Sequence, residues 1–166
     1  MKTFFLIVEL LAILQSSVLG LGLNRDSLPQ KNNHDTLKIK NIIQYGQDIQ
    51  TLSLDSSDFY YREALSLVDE VIPSYESSKD IQTILLRLKA LALRRIGAIY
   101  YFKGNFDDCI KYYLESLKIA ESIQDVSNMS ACYNNIAIVF SDQKNYKEAL
   151  HYYFKGLKNI EKSGNS

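Results

Sequence analysis

The side chains that most often perform chemistry are few and widely spaced in this chain. The two histidines, His34 and His151, are far apart in the sequence. No histidine pair, cysteine cluster or carboxylate group has the spacing of metal ligands. Neither a glycine-rich phosphate loop nor a nucleophile elbow is present. The sequence therefore predicts a protein that is not an enzyme and that carries no metal or other cofactor.

The two cysteines, Cys109 and Cys132, could form a disulfide if the chain is exported to an oxidising compartment. The helices predicted below run antiparallel about a turn near Asp125, so the residue opposite Cys132 is near Lys118. Cys109 is then about 13 Å away along the helix axis. A disulfide requires Cα atoms within about 7 Å of each other. We therefore expect two small, buried thiols.

The elements that position these residues follow from a repeat with an offset of forty residues. Apolar residues in each copy recur at three- and four-residue steps on both sides of a polar turn, which predicts two amphipathic helices per unit. Such a period marks stacked units that bury their apolar faces against each other. The identical pairs at this offset are Ile96/Ile136, Asn105/Asn145, Tyr112/Tyr152, Tyr113/Tyr153, Leu117/Leu157, Lys118/Lys158 and Glu121/Glu161.

The turn within each unit has its own signals. Gly104 can adopt the positive φ that ends a helix, and Asn105 after it is a preferred N-cap residue. In the second copy Asn145 precedes Glu148 by three residues, as in a capping box. Small residues are expected where paired helices approach closely, namely Gly97 and Ala137 on the first helices and Cys109 and Ala149 on the second.

This pattern resembles the tetratricopeptide repeat, a helical hairpin of about 34 residues. The motif positions read Leu93, Ile96, Gly97, Tyr100, Cys109, Tyr113 and Ser116, and then Tyr133, Ile136, Ala137, Phe140, Ala149, Tyr153 and Gly156. Both copies lack the closing proline of the family, and their longer period is similar to that of kinesin light chains and of bacterial regulatory and sensor proteins. The resemblance implies an all-α fold, in which antiparallel helix-turn-helix repeats stack as a short right-handed superhelix.

A degenerate unit precedes the two clear ones, because residues 61–65 nearly repeat residues 146–150 and should open a second helix. Its first helix is predicted from Leu37 to about Ser53, and residues 55–58 are expected to enlarge the turn between the two. The helical repeat domain is thus predicted over residues 37–163, with a degenerate unit at 37–76, clear units at 79–122 and 127–163, and a long helix from Lys79 to Phe102.

The N-terminal segment is of a different kind. A basic start, an apolar run over residues 3–14 and small or aliphatic residues before Gly20 are typical of a secretory signal. The alternative is an uncleaved anchor, although the run is short for a span of roughly 20 residues. The sequence predicts export, to a periplasm or out of the cell, by a signal over residues 1–20. Residues 21–36 are predicted to be a polar linker.

Charge and short motifs exclude some partners. The chain has 19 lysine and arginine residues and also 19 aspartate and glutamate residues. The protein therefore has no excess of positive charge that would favour binding of nucleic acid. The membrane is expected as a partner only through an uncleaved N-terminal segment. Asn128-Met129-Ser130 is a formal glycosylation sequon, but we expect it to begin a helix.

The resemblance also implies a binding groove. In this family the outward positions of the first helices contact an extended peptide or a helix of a partner. Arginine can bind a carboxylate through two hydrogen bonds, and asparagine can both donate to and accept from a peptide backbone. Asn135 resembles the groove asparagine of kinesin-light-chain-like repeats, whereas Ala98 replaces an asparagine of the family's carboxylate clamp. The alternative is that these are ordinary surface residues. The predicted groove residues are Leu91, Arg94, Arg95, Ala98, Tyr101, Asn134, Asn135, Ile138 and Ser141, with Ala131 beside them.

The last helix carries more apolar residues than one packed face needs, namely Leu150, Tyr153, Phe154, Leu157 and Ile160. Repeat stacks normally close with a polar outer face. We therefore expect an uncovered patch, and with it self-association or a partner that supplies the cap.

The predicted function is an exported, non-catalytic module that binds a protein or peptide. The alternative is the N-terminal sensory part of a bacterial signalling or transcriptional regulator, truncated before its output domain.

Overall fold

The computed structural model describes residues 30–164, which form helices and contain no strand. Each α-helix packs against its neighbours along the chain, which gives three antiparallel hairpins in a row. The predicted all-α stack of helix-turn-helix units is confirmed. The helices are α1 (Gln30–Asp48), α2 (Leu54–Val71), a 3₁₀ helix (Ile72–Tyr75), α3 (Lys79–Phe102), α4 (Phe106–Ser122), α5 (Val126–Asp142) and α6 (Tyr146–Gly164).

Two clusters of buried side chains join the hairpins. The larger one is built from α1, α2 and α3, and α3 contributes Leu85, Ala92, Ile96 and Ile99 to it. These residues recur at intervals of three, four and seven, so they share one face of the helix. The second cluster joins α4 to α5 through Cys109, Tyr113, Ile136 and Val139. The long first helix predicted from Lys79 to Phe102 is confirmed.

Equivalent aromatic pairs show that the offset of forty residues relates equivalent contacts between the two helices of a hairpin. The rings of Tyr100 and Tyr112 stack with their centroids 5.3 Å apart. Forty residues later, the rings of Phe140 and Tyr152 stack at 5.6 Å. Both pairs join the first helix of a hairpin to its second helix. The register inferred from sequence identity is therefore also the register of side-chain packing.

Tight turns of one type end α3, α4 and α5. At the first of them Gly104 has a φ of 73°, and Asn105 caps the next helix by accepting a hydrogen bond from the Asp108 amide at 3.2 Å. Both predictions for this turn are confirmed. Gln124 and Lys144 hold the same left-handed position at the other two turns. The Glu148 amide reaches the Asn145 side chain only at 3.5 Å.

The first hairpin differs from its prediction at three points. Helix α1 begins at Gln30, so residues 30–36 are helical rather than a linker, and it ends at Asp48. Residues 55–58 do not enlarge the turn but form the first turn of α2. The Ser53 hydroxyl accepts from the Ser56 amide at 3.1 Å, which is N-capping geometry. Serine and aspartate favour turns and helix N-termini alike, so this cluster was open to both interpretations.

The predicted signal or anchor at residues 1–20 lies outside the described residues, as does the linker before Gln30. Among the helices of residues 30–164, none combines the length and the apolar character needed to cross a membrane.

Candidate peptide-binding groove

The first helices of the second and third hairpins, α3 and α5, contact each other directly, and a cavity of about 320 Å³ opens along them. Positions 94, 98 and 101 lie four and three residues apart on one face of α3, and positions 135 and 138 lie three apart on α5. These spacings direct the side chains of both helices towards the same space. The side chains lining the cavity are Gln50, Arg94, Arg95, Ala98, Tyr101, Phe102, Tyr113, Asn135 and Ile138.

Six of the nine predicted groove residues thus line one cavity, and three do not. Leu91 packs against the larger core cluster instead, while Asn134 is exposed and Ser141 half-buried outside the lining. That the predicted residues bind a ligand stays a prediction.

Arg94 is held at the floor of this groove. Its Nε donates to Oδ1 of Asn128 at 2.8 Å. Burial lowers the pKa of Arg94, and the neighbouring charge of Arg95 lowers it further. A guanidinium nevertheless remains protonated at neutral pH. The groove therefore contains a positive charge that is partly removed from water.

Arg95 is only partly satisfied. One terminal nitrogen, Nη2, donates to Oε1 of Gln47 on α1 at 3.0 Å, but its Nε is buried and makes no hydrogen bond. A buried donor without an acceptor raises the free energy of the folded state.

The pairing of the other arginines shows how unusual these two are. Arg62 forms an ion pair with Asp58 at 2.8 Å, and Arg87 forms one with Asp125 at 3.0 Å. Within the described part of the chain, neither Arg94 nor Arg95 takes part in an ion pair. Among the arginines of residues 34–163, the two without a carboxylate partner are thus the two that line the groove.

Tyr101 ties α3 to the end of α5 on one side of the cavity. Its hydroxyl donates to Oδ2 of Asp142 at 2.5 Å, and this hydrogen bond is the main cause that raises the pKa of Tyr101. Asp142 forms no ion pair with Arg94 or Arg95. The groove keeps its positive charge although a carboxylate is near its rim.

The family model described as tetratricopeptide repeat matches residues 88–162. Residues 88–162 belong to the tetratricopeptide repeat family. The resemblance inferred from the motif residues is confirmed, while the long-period subtype stays a prediction. Among solved structures, one titled "Crystal structure of MamA" is similar, with 16% identity, 77% of this chain and 81% of that chain covered, and a TM-score of 0.42. A comparison with curated proteins found no match.

Tetratricopeptide motif positions alone did not reveal Gln50, which lines the groove. They also did not reveal Gln47 and Asn128, which accept hydrogen bonds from Arg95 and Arg94. Gln50 follows α1 of the preceding hairpin, and its Oε1 accepts from the Tyr61 hydroxyl at 3.2 Å. Asn128 belongs to the formal sequon, but it is buried in the first turn of α5, as expected for a helix start. The sequence signal that came closest to identifying Asn128 was its place, as a polar residue, in the predicted first turn of a helix.

The groove lining offers both polar and apolar groups. Guanidinium groups and an amide offer hydrogen bonds, while Ala98 and Ile138 offer apolar contact. Both cysteines are buried free thiols, and burial raises the pKa of Cys109 to about 11, which keeps this thiol protonated at neutral pH. Across the described residues, no group of three or more histidine, cysteine or carboxylate side chains could hold a metal ion.

Proposed function

We propose that this chain is a non-catalytic scaffold that binds an extended peptide in the groove between α3 and α5. The tetratricopeptide family and the all-helical fold support a protein-binding role. The observation that carries the proposal is the pair of half-buried guanidiniums of Arg94 and Arg95, which form no ion pair within residues 34–163. Two adjacent positive charges in one cavity favour an anionic ligand.

A carboxylate suits this pair better than a neutral acceptor would. Burial and the Arg95 charge both lower the pKa of Arg94, so a negative charge between the two groups would offset their mutual repulsion. Hydrogen bonds to charged groups contribute about 1.5–3 kcal/mol each, which is enough to select an acidic peptide over a neutral one.

The remaining lining fits a peptide chain next to that carboxylate. The Asn135 amide can donate to a peptide carbonyl and accept from a peptide N–H. Ala98 and Ile138 form an apolar patch between the arginines and Tyr101. We infer a ligand segment with an acidic group, followed by a small apolar side chain.

A peptide array tests this function. The full chain is incubated with ten-residue peptides of shuffled sequence that carry a central aspartate, glutamate, glutamine or lysine, each with a free or an amidated C-terminus. We expect binding to acidic peptides. A preference that survives amidation assigns a side-chain carboxylate, and one that is lost on amidation assigns the C-terminal carboxylate.

Two matched variants connect this binding to the groove. Arg95→Ala should weaken binding of the acidic peptides at least tenfold, on the order of the loss of one charged hydrogen bond. Arg87→Ala removes an arginine of the same helix outside the cavity and should leave binding unchanged. Equal binding of acidic and lysine peptides, or equal effects of the two variants, would contradict the proposal.

We also propose that the chain is exported. The support is the sequence of residues 1–20 alone, with its basic start, apolar run and small residues before Gly20. A fusion of the full chain to alkaline phosphatase, which folds into an active enzyme only in an oxidising compartment, tests this in bacterial cells. Activity that depends on residues 3–14 supports export, and an inactive fusion protein present in normal amounts contradicts it.

A further inference from the structure

Helix α6 presents large apolar side chains to solvent at alternating steps of four and three residues. We call these residues the α6 seam. The spacing is that of a heptad repeat, in which a continuous stripe of apolar side chains packs along a second helix. Leu150 and Leu157 then occupy one heptad position, and the other members occupy the second. The α6 seam consists of Tyr146, Leu150, Tyr153, Leu157 and Ile160, all of them exposed.

Helix α4 has an equivalent surface that a neighbouring helix covers. Its residues at the same repeat positions, forty residues earlier, pack under α5. Tyr113 is 4% exposed, whereas Tyr153 is 40% exposed, and Leu117 is 7% exposed, whereas Leu157 is 52% exposed. On α4 an antiparallel helix, α5, covers this surface. On α6 none of the described residues covers it.

We propose that a second copy of this chain covers the α6 seam, with the two α6 helices antiparallel about a two-fold axis. Antiparallel heptad packing places one type of apolar position opposite the other. Leu150 then lies against the partner's Ile160, and Tyr153 lies against the partner's Leu157. Because the axis is two-fold, each contact occurs twice. The other copy takes the place on α6 that α5 takes on α4.

The charges beside the seam favour this occupant and fix its register. Lys147, Phe154 and Glu161 follow one another at seven-residue intervals along one edge, and all three are exposed. The register that sets Leu150 against the partner's Ile160 also sets Lys147 against the partner's Glu161. It brings Phe154 against the partner's Phe154. Opposite charges therefore meet at both ends of the interface, and apolar rings meet at its centre.

The other edge of α6 is already occupied. Ala149 and Gly156 lie there and are buried, and a Cβ on Gly156 would be 3.4 Å from Cβ of Tyr133 on α5. The second copy therefore approaches from the charged edge only. The chain as a whole has a formal net charge of zero, so no overall repulsion opposes association of two copies.

Association through α6 leaves the groove between α3 and α5 free. The assembly would present two grooves in a fixed relation, and two linked sites bind a ligand with two recognition segments more tightly than one site does. This inference does not depend on what the groove binds. Its test measures assembly alone, so it can fail while the proposed peptide binding holds, and the reverse.

Charge reversal tests both the occupant and the register, with sedimentation velocity on the full chain as the measurement. We expect a dimer of the unaltered chain. Lys147→Glu and Glu161→Lys should each weaken dimerisation about tenfold, because each replaces two attractive pairs with two repulsive ones. An equimolar mixture of the two variants should restore the dimer as a heterodimer, and so should the double variant. Lys111→Glu, an equal charge change on exposed α4 surface, should have no effect.

A second variant examines the centre of the interface. Phe154→Lys places two lysines against each other and should abolish the dimer, while the helical circular dichroism signal stays unchanged because Phe154 is exposed. A monomer of the unaltered chain at high concentration would overturn the proposal. Assembly that is insensitive to all of these variants would overturn it as well, and would assign association to another surface, such as the apolar run at residues 3–14.

Discussion

Gly97 on α3 lies directly against the aromatic ring of Tyr113 on α4. A Cβ atom on Gly97 would be 2.7 Å from Cδ1 of that ring and 3.3 Å from the backbone oxygen of Cys109. Tyr113 belongs to the core cluster that joins α4 to α5, so it cannot move without disturbing the next hairpin. The absence of a side chain at Gly97 therefore sets the distance between α3 and α4.

Substitution of this glycine should cost stability. We expect Gly97→Ala to lower the free energy of unfolding by about 1–3 kcal/mol through overpacking, although alanine is the better helix former. Gly97→Leu should cost more. Gly156→Ala is the control, because its Cβ would make an ordinary contact at 3.4 Å and should be neutral or stabilising. Urea denaturation followed by circular dichroism measures both, and equal effects would show that the contact at Gly97 is not tight.

The turns between helices allow a reciprocal test. Gly104 has a φ of 73° and would accept a Cβ without any contact within 4 Å, while Lys144 holds a φ of 61° at the equivalent position. Backbone strain alone should make Gly104→Lys destabilising by about 0.5–1 kcal/mol, and Lys144→Gly stabilising by a similar amount. Thermal unfolding measures both changes. Two changes of the same sign would contradict the equivalence of the turns.

The sequence predicted the second and third hairpins well, because each of their helices carries a regular apolar stripe and ends at a recognisable cap. It predicted the first hairpin less well, since Ser53 and the serines and aspartates after it fit a turn and a helix start equally. The groove was predicted in part. The periodicity of α3 predicts the direction in which Arg94 points from its own helix. It does not predict that Asn128 of α5 is the side chain that Arg94 contacts.

The hydrogen bond between Arg94 and Asn128 predicts that the two groove arginines contribute differently to the stability of the fold. Removal of Arg94 leaves Oδ1 of the buried Asn128 without its donor, so Arg94→Ala should lower stability by about 1–3 kcal/mol, contrary to the expectation of a fully outward residue. Arg95→Ala breaks only an exposed hydrogen bond to Gln47 and should cost less than about 1 kcal/mol. Urea midpoints of the two variants measure the difference. Comparable losses would mean that the Arg94–Asn128 bond is not formed in solution.

The buried thiols predict how stability depends on alkaline pH. Burial raises the pKa of Cys109 to about 11, from about 9, and burial also raises the pKa of Cys132. The folded chain therefore binds the Cys109 proton more tightly than the unfolded chain does. The resulting stabilisation is complete below about pH 9 and is lost as the pH rises towards 11.

Cys109→Ala isolates this contribution, because Ala149 occupies the equivalent position of the next hairpin and the smaller side chain fits the same contact. We expect the urea midpoint of the unaltered chain to fall between pH 9 and pH 11, and the fall to be shallower in Cys109→Ala. Some of the fall should remain, since burial also raises the pKa of Tyr113.

Alkylation at pH 8 adds an independent measurement of how closely the helices pack. In the folded chain both thiols should react only as fast as the helices open, and in urea they should react at the rate of a free cysteine. Rapid alkylation of Cys109 in the folded chain would show that α3 and α4 do not pack as closely as Gly97 and Tyr113 require.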